Sequence, residues 1–136
     1  MIRDIVRDQF FLRLPARKAD AGDAAIADDL LDTLRANAER CVGMAANMIG
    51  ENVAVIAFSD GGRYVEMFNP AIVRRDDPYD AEEGCLSLDG TRPAKRYRTV
   101  KVQWQTRDMK PRVKTFTGFT AQIIQHEVDH LFGVII

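Results

Sequence analysis

The segment TAQIIQHEVDHLF, residues 120–132, carries the chain's only two histidines, His126 and His130, with Glu127 beside the first. Its apolar residues recur with a helical period, and Thr120 is placed to cap the helix N-terminus. At about 100° per residue, positions four apart lie on nearly the same helical face, one turn apart. Both imidazoles then reach a single metal ion at about 2.0–2.1 Å, the usual zinc–nitrogen distance. Glu127 sits one position round the helix. There it can serve a metal-activated water as general base and then general acid without ligating the metal. The alternative is a solvated amphipathic helix with two incidental histidines. That every histidine of the chain falls in this pattern, beside a glutamate, favours the metal reading.

Two histidines are half of a tetrahedral site, and a third protein ligand is needed. The six residues after His130, LFGVII, include no His, Cys, Asp or Glu, so the ligand is expected upstream, from a cysteine or a carboxylate. The chain has two cysteines. Cys41 adjoins the end of a predicted helix, where a small buried apolar residue is the ordinary explanation. Cys85 lies in EEGCLSL, next to Gly84, which lets backbone come close to another element. Cys85 is therefore the expected thiolate ligand.

A length of 136 residues suits one domain, 1–136, with a sizeable core. With 46% hydrophobic and 29% charged residues and a net charge of −1, no nucleic-acid or membrane surface is expected. The N-terminus, MIRDIVRDQFFLRLP, is interrupted by charge too often to be a signal peptide. The longest apolar run, VAVIAF, is far too short for a membrane span. A cytoplasmic protein is expected, and in that compartment the cysteines read as a metal ligand or buried thiols rather than a disulfide. The basic run TRPAKRYRTVK reads as a solvated strand face, with Arg96 or Arg98 near a substrate backbone as the other possibility.

Along the chain, residues 20–40 place Ile26, Leu30, Leu34 and Ala38 at helical spacing. NVAVIAF is a short strand, SDGG a hairpin turn, and RYVEMFNPAIVRR a returning strand broken at Asn69-Pro70. Residues 76–93 read as loop. YRTVKVQWQT alternates as a half-buried strand, RDMK turns it into PRVKTFTGF, and GVII leaves the last helix as a short strand. The class is α+β and mostly antiparallel.

In order and spacing, GMAANMIG, EGCLS and QHEVDH resemble the three motifs of the peptide deformylases, GxGLAAxQ, EGCLS and QHExDH. The resemblance covers almost the whole chain. It implies antiparallel β-sheets surrounding a central HExxH-bearing helix. It also implies removal of the formyl group from N-formylmethionyl nascent chains near the ribosome. The cofactor it implies is a labile Fe²⁺, replaceable by Zn²⁺, Ni²⁺ or Co²⁺, which a mixed Cys/His/His set accommodates. By the same resemblance Cys85, His126 and His130 hold the metal, Glu127 handles the proton, and the Leu86 backbone N–H helps bind the oxyanion. Val42, Phe119 and Ile123 would form the methionine pocket, although Phe119 and Ile123 also suit plain core packing. Gly43 and Gly84 would let backbone edges pair with the substrate as an added strand.

The chain departs from these motifs at Cys41, where the first glycine stands, and at Met48, where the family has glutamine. The glutamine amide donates to the developing oxyanion, and a thioether cannot. Losing one such donor typically costs about 2.7–4 kcal/mol of transition-state stabilisation. Asn47 offers an amide next door. Two other functions therefore stand beside deformylation: a metallopeptidase or amidase for another N-acyl group, and a metal-holding protein that binds peptides without turnover. Glu127 argues for turnover, since a pure binding module has no use for a proton shuttle.

Overall fold

In the computed structural model, which describes residues 1–136, the run VAVIAF enters a strand buried on both faces. This strand, β2 (Val55–Asp60), turns Val55 and Ala57 into one apolar cluster and Ile56 and Phe58 into another. A strand covered on both sides reads as a continuous apolar run rather than an alternating one. Around it stand β1 (Gly43–Ala45), β3 (Arg63–Cys85), β4 (Leu88–Gln105) and β5 (Pro111–Thr117). All five form one antiparallel sheet in chain order, so a single continuous sheet takes the place of the several expected. Asp60 pairs with Arg63 across Gly61 and Gly62, both with positive φ, which is the two-residue hairpin that SDGG predicts. In β4 Val100 and Val102 are buried while Lys101 and Gln103 are exposed, the expected period of two.

Two helices cover the two clusters. Helix α2 (Ala24–Ala36) buries Ala27, Leu30 and Leu34 against Val53, Val55, Ala57 and Phe68. Asp20 and Asp23 form a capping box over a 3-10 turn at Ala21–Asp23, so the regular helix starts later than the periodicity suggests. Ala38 lies beyond its end and is exposed. Helix α3 (Gly118–Leu131) packs Ile124, Val128 and Leu131 against Ile56, Phe58, Met67, Val100 and Phe116. A short helix, α1 (Gln9–Leu12), precedes them. No helix is long and apolar enough to cross a membrane.

Three local expectations are corrected. Residues 76–93 are not loop: they belong to a long two-stranded arm in which β3 runs on to Cys85 and returns as β4. Asn69-Pro70 bends β3 without ending it. Asn69 adopts φ 52°, its oxygen accepts from Ala19 N at 2.8 Å, and its amide donates to Ala19 O at 2.9 Å. The arm is rich in charge because much of it is exposed, which is why its sequence resembles a loop. Thr120 does not cap α3. Thr117 holds that position, and the Thr120 hydroxyl donates to Asp60 Oδ1 at 3.1 Å. Residues 133–136 form no strand; the chain leaves α3 through Gly133 at φ 78°, and a Cβ there would overlap the Arg13 carbonyl.

Candidate active site

Helix α3 presents His126 and His130 with their Nε2 atoms 3.0 Å apart. The hairpin at Leu86-Ser87 ends β3 at Cys85, whose Sγ lies with both ring nitrogens in a group spanning no more than 4.8 Å. His130 is completely buried. Burial, and then its neighbour His126, push its pKa down to about 3. Burial opposes protonation of His126 too, but the hydrogen bonds with Cys85 and Glu83 outweigh it and hold His126 up at about 10. Two buried imidazole nitrogens this close share at most one proton, and a soft thiolate with two imidazoles is a transition-metal donor set. The residues present therefore fit a divalent metal. Cys41 stands apart from this group: its thiol donates to Gly43 O at 2.8 Å. Burial, with Glu127 nearby, pushes that thiol up to about 12.

Metal-ligating histidines need a partner on the other ring nitrogen to fix the tautomer. Here Glu83 takes His126 Nδ1 at 2.8 Å. The same carboxylate accepts from Arg96 Nη2 at 2.7 Å, Arg96 Nε at 2.9 Å and Gln122 Nε2 at 2.9 Å. Burial alone would raise the Glu83 pKa; the hydrogen bonds from His126, Arg96 and Gln122 hold it near 2 instead. Arg96 continues to Asp129 Oδ2 at 2.7 Å, so β3, β4 and α3 are tied together behind the ligands. Arg96 is thus buried, not on a solvated face, whereas Arg98 lies 4.8 Å over the Tyr79 ring and is exposed. Glu83→Gln is expected to weaken metal affinity about 10–100-fold in competition with a chelator. Arg98→Ala should leave it unchanged, and equal affinity in both variants would remove Glu83 from this role.

Glu127 is 5% exposed, and its Oε1 has no hydrogen-bond partner in the protein. Burial lifts its pKa to about 7, a value suited to taking and returning a proton near neutral pH. Gly43 makes this packing possible. A Cβ there would lie 2.7 Å from Ile123 Cγ2 and 2.9 Å from Glu127 Oε2. Above them opens a cleft of about 480 Å³ that brings together Val42, Gly43, Met48, Gly84, Cys85, Leu86, Phe119, Ile123, His126 and Glu127. Val42 and Phe119 are exposed, while Ile123 and Met48 are buried. Strand β1 is the end strand of the sheet, with β2 as its one strand partner. Gly84 has room for a Cβ, with Gly90 O nearest at 3.5 Å, so no close approach requires glycine there.

Residues 4–136 match the polypeptide deformylase family. The chain belongs to that family. It is 49% identical to the peptide deformylase of Clostridium beijerinckii over the full length of both chains. Over 122 residues it is 34% identical to the peptide deformylase of Heliobacterium modesticaldum, covering 89% of this chain and 80% of that one. Its fold superposes on a class I type b peptide deformylase of Acinetobacter baumannii bound to Met-Ala-Ser. That match has a TM-score of 0.89 and 28% identity, covering 99% of this chain and 97% of the other. Deformylases are metal-dependent hydrolases, and Cys85, His126 and His130 are this chain's possible metal site.

Against the deformylase motif, Met48 does line the cleft, but Asn47 does not replace the missing glutamine. The Asn47 amide donates to His130 O at 3.0 Å and fastens the 3-10 turn Ala46–Ile49 to the end of α3. Sequence reasoning overlooked Glu83, Gln122 and Asp129. One signal was available: a histidine pair calls for an outer acceptor, and Glu83 is a carboxylate within the EGC motif.

Proposed function

We propose that residues 1–136 act as one catalytic domain, a metal-dependent hydrolase that removes the formyl group from N-formylmethionyl peptides. The observation that carries this is the convergence of Cys85, His126 and His130 beside a cleft that Glu127 lines, with the Glu127 carboxylate oxygen Oε1 left without a partner in the protein. The three ligands would hold Fe²⁺, with Zn²⁺, Ni²⁺ or Co²⁺ as substitutes. When bound, the metal supplies a Lewis acid for the formyl carbonyl and lowers the pKa of water. Glu127 takes the proton of the attacking water and returns it to the peptide nitrogen as the formyl C–N bond breaks, giving formate and a free amine. The Leu86 N–H would donate to the oxyanion. Val42, Phe119 and Ile123 would surround the methionine side chain, and the backbone at Gly43 and Gly84 would pair with the peptide as an added strand. The Acinetobacter relative binds Met-Ala-Ser, a peptide with the free N-terminal methionine that this reaction yields. Nascent chains near the ribosome, in the cytoplasm, are the proposed source of substrate.

The test is an assay of metal-loaded, anaerobically purified protein on formyl-Met-Ala-Ser. Formate and free Met-Ala-Ser are the expected products. Internal cleavage would make the protein a metallopeptidase, and metal-dependent binding without products a peptide-holding protein.

Met48→Gln is expected to raise kcat, because the new amide adds a donor for the oxyanion beside the Leu86 N–H. A bond worth about 1.4 kcal/mol gives a tenfold change. The gain should fall on kcat more than KM, since the bond strengthens as charge develops. Stability should fall, because Met48 is only 1% exposed within an apolar cluster, where an amide is costly to bury. An unchanged kcat in folded, metal-replete protein would show that this side chain does not face the oxyanion.

A further inference from the structure

Gln122 stands one turn before His126 on α3 and lines the cleft together with Ile123 and Phe119. Its Nε2 donates to Glu83 at 2.9 Å. The amide orientation is fixed by that partner. Glu83 already accepts from Arg96 and His126 and can only accept, so the opposite flip would set two oxygens against each other. The second N–H and Oε1 of Gln122 have no partner in the protein, and Oε1 is not among the enclosed polar atoms, so it reaches the solvent of the cleft. Beside Phe119 and Ile123 the cleft wall thus carries one donor and one acceptor on a single immobilised amide. Their complement is a second primary amide, which offers the same two groups in reverse.

Resting on the deformylase reading, we infer that Gln122 sets which first side chain the cleft accepts, admitting N-formyl peptides that begin with glutamine as well as methionine. Glutamine matches methionine in reach. Its amide would stand unpaired, and be strongly disfavoured, in a pocket lined only by Val42, Ile123 and Phe119. A site with a matching polar partner reverses that penalty.

The experiment measures kcat/KM for formyl-Met-Ala-Ser, formyl-norleucine-Ala-Ser and formyl-Gln-Ala-Ser with the metal-loaded parent and with Gln122→Met, which keeps the volume and removes the amide. The methionine-to-glutamine ratio is expected to rise about tenfold or more in the variant, the scale of one lost hydrogen bond to a neutral group. The methionine-to-norleucine ratio should not move. If all three peptides fall by one common factor, Gln122 acts only by holding Glu83, and the inference is overturned. A parent that cleaves the methionine peptide but never the glutamine one overturns it equally. A parent that deformylates neither overturns the proposed function itself, a result distinct from both.

Discussion

Glu127→Gln is expected to bind metal like the parent and to lose at least about two orders of magnitude in formate release, the usual size of a general acid–base contribution. The first half follows from position: the ligand group comprises Cys85, His126 and His130, and Glu127 is outside it. The second follows from chemistry, since an amide keeps the shape but cannot take a proton from water. Shape matters at this residue because a Cβ on Gly43 would come within 2.9 Å of Glu127 Oε2, which leaves no slack for a larger side chain. Glu127→Ala should lose as much activity while also opening a cavity beside β1. The loss should appear in kcat with KM little changed, because the proton moves only in the transition state. Metal analysis beside a formate assay checks both halves. Full activity in a metal-replete Gln variant would exclude Glu127 from the proton transfers.

The helix that carries this chemistry was legible because two constraints coincide on it. The spacing of His126 and His130 is a helical period, and Ile123, Ile124, Val128 and Leu131 share that period with the core they enter. Strands β2 and β4 were legible from burial, one covered on both faces and one on a single face. Residues 76–85 of the arm, and their return at residues 88–90, were not, because these strands are held by backbone pairing over surfaces that stay largely exposed. Nothing in such a segment's apolar pattern reports a strand.

The site divides along the same line. Ligands and proton carrier follow from residue type and spacing, which is local information. Their support does not: Arg96 reads as one more cation in TRPAKRYRTVK. Only the pairing of β3 with β4 brings it to Glu83, and only the packing of α3 brings it to Asp129. A guanidinium shared between two carboxylates, 4% exposed, depends on three elements meeting. The chain had equally little to say about Asn47, whose amide is used by a carbonyl 83 positions away.

Cys85→Ala is expected to abolish tight metal binding, while Cys41→Ala retains about one divalent ion per chain. The alanine leaves two imidazoles, and no thiol is placed to replace the lost one. Cys41 lies outside the ligand group, its Sγ hydrogen-bonded to the Gly43 carbonyl. Its thiol is also held protonated, with a pKa near 12, so it offers no thiolate at neutral pH. A second readout separates loss of metal from loss of fold. A ligand that binds only the folded state stabilises it by RT ln(1 + [L]/Kd), so added Zn²⁺ should raise the Tm of metal-stripped parent and of Cys41→Ala. The Tm of Cys85→Ala should not respond, although its starting value stays close to that of stripped parent, because Cys85 is only half-buried and its removal opens little of the core. A Cys41→Ala protein that loses its metal while Cys85→Ala keeps it would reassign the thiolate to the segment before β1 and undo the reading of the EGCLS hairpin.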